Sequence, residues 1–371
     1  MSRREYKVIG MMSGTSLDGL DIAYCYFVKN EHGWRFEIIA ADTYEYDRGW
    51  QKRLSTITEA NSESLMQTHQ ELGMWMGQAV NRFMRKHQVD PQFIATHGHT
   101  VFHQPENGFT LQIGNSFAVH AACNKPVISN FRDMDLALGG QGAPLVPIGD
   151  RLLFDKYDFC LNIGGIANIS AEVNGKRVAY DIGPANMVLN HFAQKTGHAY
   201  DAGGAMAASG RVQAKLLEQL NALAYYQAPF PKSLGYEWVL ANVIKPLEKE
   251  KASTEDMLAT LTQHVSQQIA ANVHLLQEKG ELDTSDASML ATGGGAYNDH
   301  LISCIRQHSK NKFRIVLPNE LIIGYKEALV FAFLGVLKIR NEANCLSSVT
   351  GATGDHSAGV IYGSSAHEEI F

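Results

Sequence analysis

One local arrangement occurs twice in this chain and limits the folds open to it. Tyr6–Met12 reads as a strand, Ser13-Gly-Thr-Ser-Leu-Asp-Gly19 as a glycine-rich turn, and Leu20–Val28 as a second strand. Glu31-His-Gly33 is a hairpin turn leading to a third strand at Arg35–Tyr44. About 150 residues later the plan returns: strand Asp158–Ile163, turn Gly164-Gly-Ile-Ala-Asn168, strand Ile169–Val173, hairpin Asn174-Gly175 and strand Arg177–Ile182. Tandem duplication of one α/β domain produces this pattern, and chance recurrence of short glycine-punctuated strands is the alternative. Between and after the copies, apolar spacing predicts a long helix capped by Ser62 or Ser64. Leu65, His69, Leu72, Met76, Ala79 and Phe83 share its buried face. Further helices are expected over about 254–278 and 324–340, the latter with Glu327 near its start. Short strands are expected at Phe93–Thr96, Pro126–Phe131 and Ala287–Ala291, and Asn298 is expected to open another helix. Gly139-Gly-Gln-Gly-Ala-Pro144 is a candidate hinge between two halves.

Composition narrows the function classes. The 371 residues are 45% hydrophobic, which excludes a disordered chain, and the net charge of −6 without a basic run argues against nucleic-acid binding. The longest apolar stretch, Ala328 to Leu337, is half of what a membrane span needs, so no membrane association is expected. Cys25, Cys123, Cys160, Cys304 and Cys345 are scattered, with no C-x-x-C, as expected of reduced thiols in a cytoplasmic protein.

Three glycine-rich loops each follow an expected strand: Ser13–Gly19, Gly164–Asn168 and Gly293–Gly295. Without Cβ atoms their backbone N–H groups can close on a polyanion, and Thr15 or Ser16 can add a hydroxyl donor. Three such loops, two at equivalent points of a repeat, favour a nucleotide site between two lobes. The pattern is neither a P-loop nor a dinucleotide fingerprint. Asp181 ends a strand before Ile-Gly-Pro, a turn that can present its carboxylate, and Glu327 sits where a helix dipole favours an anion. A turn former and a helix-start charge are the plainer readings of these two acids. Asp18 and Asp21 flank the first loop and can hold Mg²⁺ through water, or be solvated turn carboxylates. His97, His99 and His103 lack an accompanying Cys or carboxylate motif, so His97 is read as a loop residue lining a polar ligand pocket.

Gly10-Met-Met-Ser-Gly-Thr-Ser-Leu-Asp-Gly-Leu-Asp21 resembles the phosphate loop of the anhydro-N-acetylmuramic acid kinases, a branch of the actin/hexokinase-like superfamily. The resemblance continues through Thr96-His-Gly-His-Thr100, Leu111-Gln-Ile-Gly114, Phe131–Asp135, Gly139–Pro147, Asn162–Asn168, Asp181-Ile-Gly-Pro-Ala-Asn186, Pro231-Lys-Ser233, Gly293–Asn298 and Lys326-Glu-Ala-Leu329. It implies an α/β fold of two actin/hexokinase-like lobes, each a mixed sheet flanked by helices, with an interlobe active-site cleft. The expected lobes are 1–137, completed by about 355–371, and 138–354.

The implied reaction uses ATP and Mg²⁺ to open 1,6-anhydro-N-acetylmuramic acid with water and phosphorylate the freed 6-oxygen, giving N-acetylmuramic acid 6-phosphate and ADP in peptidoglycan recycling. Asp181 matches the family's general base and Glu327 an acid near the sugar. Gly14, Thr15, Ser16, Leu17, Asp18, Gly19, Leu20 and Asp21 match its ATP segment. Gly164, Gly165, Gly293, Gly294 and Gly295 are the further nucleotide candidates, His97, Asp135 and Asn186 the substrate-binding candidates, and Asp18 the candidate Mg²⁺ holder through water. A homodimer is also implied. The chain departs from the family pattern at His99, Ile182, Ala185 and Tyr236, the last standing where an Arg is expected. Another sugar kinase of this fold, or a non-enzymatic ATP-binding actin-like protein, is the alternative reading.

Overall fold

The computed structural model describes residues 4–14, 17–280 and 287–363. Thr15 and Ser16 lie outside the described residues, as does the end of the 355–371 segment. Twelve strands are present among the described residues: β1 (Glu5–Ser13), β2 (Gly19–Asn30), β3 (Gly33–Glu45), β4 (Phe93–Gln104), β5 (Phe109–Ile113), β6 (Val127–Ser129), β7 (Phe159–Ile163), β8 (Ile166–Val173), β9 (Lys176–Pro184), β10 (Ser288–Thr292), β11 (Arg314–Val316) and β12 (Val360–Tyr362). They form two mixed sheets in an α/β fold. The first has the order β12-β6-β4-β1-β2-β3 with β5 beside β4, and the second β11-β10-β7-β8-β9.

Both sheets are built on one plan. An antiparallel meander, β1-β2-β3 or β7-β8-β9, is extended from its first strand by parallel partners, β4 then β6 in one sheet and β10 then β11 in the other. Parallel neighbours require a crossover, and a long helix lies in the one that joins each meander to its first parallel partner. In the Ser62–His87 helix, Leu72, Met76, Ala79 and Phe83 are fully buried against Ile9, Met11 and Ile22. In the Thr254–Gly280 helix, Val265, Ile269, Val273 and Leu276 pack against Leu161, Ile169 and Ala291.

The chain divides into two compact units, one comprising Met1–Leu153 with Tyr325–Phe371 and the other Phe154–Gly324. The breaks therefore fall at 153/154 and 324/325, where the sequence reading placed them at 137/138 and 354/355. The reason is packing of the final long helix, Glu320–Ile339. A Cβ on Gly10 in β1 would stand 1.9 Å from the Ala328 carbonyl oxygen, so this helix lies directly on the first sheet. Lys326 of the same helix pairs with Asp150 at 2.6 Å, holding the Pro147–Leu153 helix in the first unit as well. The candidate hinge Gly139–Pro144 lies inside that unit, tied by Gly140 N–H to the Asp135 carbonyl and by Gln141 N–H to Thr350.

Two local readings change. Asn61, not Ser62 or Ser64, caps the first long helix, accepting from the Ser64 N–H at 2.8 Å. The strand expected at Phe93–Thr96 runs on to Gln104, because β5, unanticipated in the sequence, pairs with its polar second half. His97, His99 and His103 are thus strand residues. Among the described residues, no helix is long and apolar enough to cross a membrane.

Candidate active site

In the second unit, two glycine loops converge on Ile163. A Cβ on Gly295 would meet the Ile163 side chain at 2.2 Å, and one on Gly293, whose φ is +82°, would meet Asn162 Oδ1 at 2.5 Å. These two glycines permit close packing of the loop against β7, and Gly295 is itself buried. Gly165 and Gly294 are exposed, with nothing nearer than 3.6 Å to an added Cβ, so their backbone is open to a phosphate. Asn186 donates its side-chain amide to the Ile163 carbonyl at 3.0 Å, and its backbone N–H to Gly164 at 3.1 Å. These two bonds pin the loops.

Asp181 lies on β9, at the edge of the second sheet, and is held from three directions. Its N–H donates to the Lys232 carbonyl at 3.0 Å, its own carbonyl accepts from Tyr225 Oη at 2.6 Å, and Oδ2 accepts from the Leu234 N–H at 2.9 Å. Oδ1 makes no hydrogen bond among the described residues. Burial raises the pKa of this carboxyl, and the Leu234 N–H opposes the rise. One oxygen fixed and one free, on a carboxylate made more basic by its surroundings, is the geometry of a general base. Tyr225 and Leu234 were not anticipated, since an aromatic pair and a backbone amide some fifty residues away leave no local signal.

In the first unit, the loop after β1 keeps Gly14 and Leu17 half-buried and Asp18 exposed, with Leu17 at φ 59°. Gly19 and Leu20 are buried strand residues. Gly19 abuts the Tyr44 carbonyl and Leu20 is fully enclosed in the core, so the ligand-facing loop ends at Asp18. Beneath the loop, Ser13 Oγ sits 2.9 Å from Tyr46 Oη and 3.1 Å from His99 Nδ1, and burial lowers the His99 pKa to about 4. Asp21 accepts from Thr43 Oγ1 at 2.6 Å. Its pKa is raised by burial and by the Asp18 charge, with the Thr43 bond opposing, so a cation beside the two carboxylates would be welcomed.

Glu327 reaches solvent, yet the protein packed around it raises its pKa, with Asp21 adding to the rise and Lys326 and Arg132 opposing it. Buried His97 donates from Nδ1 to the Gly98 carbonyl at 3.0 Å, so Nε2 is the acceptor for Arg132, at 2.8 Å from Nη2 and 3.0 Å from Nε. Burial, reinforced by the Arg132 charge, keeps His97 neutral. His97 borders a cavity of about 210 Å³ lined also by Thr96, Gly98, Gln112, Asn130 and Asp133, but both ring nitrogens are committed. It therefore acts on Arg132. Asp135 is 0% exposed, and it accepts at Oδ2 from the Gly142 N–H and at Oδ1 from Thr350 Oγ1, both at 2.7 Å, so it is enclosed by protein.

The sequence profile of the family described as anhydro-N-acetylmuramic acid kinase matches residues 6–364. The chain belongs to that family. An anhydro-N-acetylmuramic acid kinase of Nitrosomonas europaea is 35% identical over 95% of this chain and 99% of its own length. One from Pasteurella multocida is 34% identical over 95% and 96% of the two lengths, and one from Coxiella burnetii 35% over 96% and 97%. Of the two candidate acids, Asp181 lies in the second unit and Glu327 in the first.

Proposed function

We propose that the protein opens 1,6-anhydro-N-acetylmuramic acid with water and phosphorylates the freed 6-oxygen, yielding N-acetylmuramic acid 6-phosphate. The observation that carries this reading is the Asp181 carboxylate, with Oδ2 fixed by the Leu234 N–H and Oδ1 open. Asp181 takes a proton from water as the water oxygen bonds to the anomeric carbon. The bond from that carbon to O6 breaks, and O6 accepts the phosphoryl group. A second carboxylic acid to protonate the leaving oxygen, as in ordinary glycoside hydrolysis, is then unnecessary.

ATP with Mg²⁺ supplies the phosphoryl group and offsets its charge. Gly14, Leu17, Gly164, Gly165 and Gly294 offer it backbone, while Asp18, with Asp21 beside it, holds the metal through water. Glu327 orients a sugar hydroxyl, and Arg132, steadied by His97, presents a cation. A cytoplasmic homodimer is part of this reading.

A coupled assay of ADP release tests the proposal, run with the anhydro sugar and with N-acetylmuramic acid. Release with the anhydro sugar alone is expected, and equal turnover of the plain sugar would favour an ordinary hydroxyl kinase. Asp181→Asn should lower turnover by about 10²–10⁴-fold, with ring opening and ADP formation lost together. In ¹⁸O-labelled water the label should enter the anomeric oxygen. Label in the phosphate would sink the assignment.

A further inference from the structure

Asp135 is turned away from any ligand pocket and meets two residues that the reaction above does not use. Asp135, Cys345 and His356 each offer one donor atom, and these atoms lie within 4.8 Å of one another. All three residues belong to the first unit, and an isolated antiparallel bridge sets Cys345 beside His356. The site is sealed: Asp135 is 0% and Cys345 2% exposed, and the His356 side chain 10%.

The state of His356 decides what can lie among these atoms. Its Nδ1 is 3.0 Å from the Gly354 carbonyl oxygen, which can only accept, so Nδ1 carries a proton. In the neutral ring Nε2 then bears a lone pair. That atom is closed off from solvent, has no hydrogen-bond partner among the described residues, and lies 3.6 Å from Asp135 Oδ1. Two electron-rich atoms so placed call for a positive charge between them, a proton or a metal cation. A charged N–H···O bond closes to about 2.7–2.9 Å. The observed gap is wider, and resembles the edge of a tetrahedron around zinc, about 3.3–3.6 Å for bonds near 2.0 Å to N or O and 2.3 Å to S. Cys345 Sγ, which donates to the Phe131 carbonyl oxygen at 3.9 Å, lies close enough to complete a three-donor set.

We propose that Asp135 Oδ1, Cys345 Sγ and His356 Nε2 bind a divalent transition-metal ion of the zinc type. Carboxylate, thiolate and imidazole together suit zinc and disfavour Mg²⁺ or Ca²⁺, which take oxygen ligands. The outer contacts are in place: the Gly354 carbonyl fixes the imidazole tautomer, Thr350 Oγ1 bonds Asp135 Oδ1, and the Gly142 N–H bonds Oδ2. Arg132 directs its guanidinium to His97 and the Gly142 carbonyl instead of competing for the carboxylate. Binding replaces the Cys345 S–H bond with a sulfur–metal bond and releases that proton to solvent. A dication beside one carboxylate and one thiolate leaves the buried site neutral, which low-dielectric surroundings demand. The ion would join the Asp133–Ala137 helix to segment 344–358, which carries the short Ser347–Thr350 helix.

The full chain, stripped by a chelator, is titrated with ZnCl2 and separately with CoCl2, and bound metal is counted after gel filtration. One zinc per chain is expected, with a thiolate-to-cobalt charge-transfer band in the wild type. Cys345→Ser and His356→Gln should each weaken zinc by at least about 100-fold, the upper end of what changes to outer contacts cost. Circular dichroism of the metal-free variants checks that they fold, and the wild-type cobalt spectrum needs no variant. Absence of the band, substoichiometric zinc, or wild-type affinity in either variant would overturn the site and leave an imidazolium–carboxylate pair.

Discussion

Asp181 carries a conflict between stability and chemistry. Burial makes its carboxylate costly, and the same burial makes it a better base. In the proposed role the working form is deprotonated, so kcat/KM should fall as pH drops through the raised folded pKa. The acid limb of the profile is expected above the ordinary aspartate value of 3.8 and to vanish from the residual activity of Asp181→Asn. Stability follows the opposite sign. The folded state holds this proton more tightly than the unfolded chain does, so the stabilising contribution is present below 3.8 and is lost as pH rises through the folded pKa. Asp181→Asn, which cannot ionise, should therefore unfold at a slightly higher temperature than wild type at neutral pH while losing activity. A lower melting temperature would show that the carboxylate is held by more than the Leu234 amide.

At the scale of elements, the final long helix is committed to the first unit by two contacts of different kinds, one to β1 and one to the Pro147–Leu153 helix. Gly10 leaves no room for a side chain, since an added Cβ would also stand 2.9 Å from the Ala332 Cβ. Gly10→Ala should force the helix away and cost about 1–3 kcal/mol in urea denaturation. The Lys326–Asp150 pair is only 6% exposed on each side. Lys326→Ala takes the cation from a buried carboxylate, with an expected loss of up to about 3–5 kcal/mol, and replacing both members by apolar residues should recover much of it. A single-variant loss below about 1 kcal/mol would mean that water reaches Asp150.

At the scale of the molecule, each unit has apolar clusters of its own, around Ile9, Met76 and Phe83 in the first and around Leu161, Ile269 and Val243 in the second. The second unit is one continuous stretch, Phe154–Gly324, whereas the first needs both ends of the chain. Residues 154–324 expressed alone should give a cooperative unfolding transition, and residues 1–153 alone should not, because they lack the helix that covers β1. A non-cooperative 154–324 fragment would mean that this core depends on the rest of the chain.

The repeated meander, its hairpins and the long helices were legible because their causes are local. Alternating burial, Asn174-Gly175 with both φ angles positive, and the Asn298 cap act within a few residues of themselves. Asp181, Glu327 and the glycine loops were legible as candidates for the same reason, since each stands at a turn or helix start. How each is held is decided by partners far away in the chain. Leu234 and Tyr225 fix Asp181, Arg132 engages the His97 ring, and Ala328 leaves no room for a side chain at Gly10. The order of the parallel strands, the breaks at 153/154 and 324/325, and the meeting of Asp135 with Cys345 and His356 likewise belong to the tertiary structure. Contacts between residues a hundred or more positions apart leave no periodicity, because nothing in either segment varies with the distance to the other.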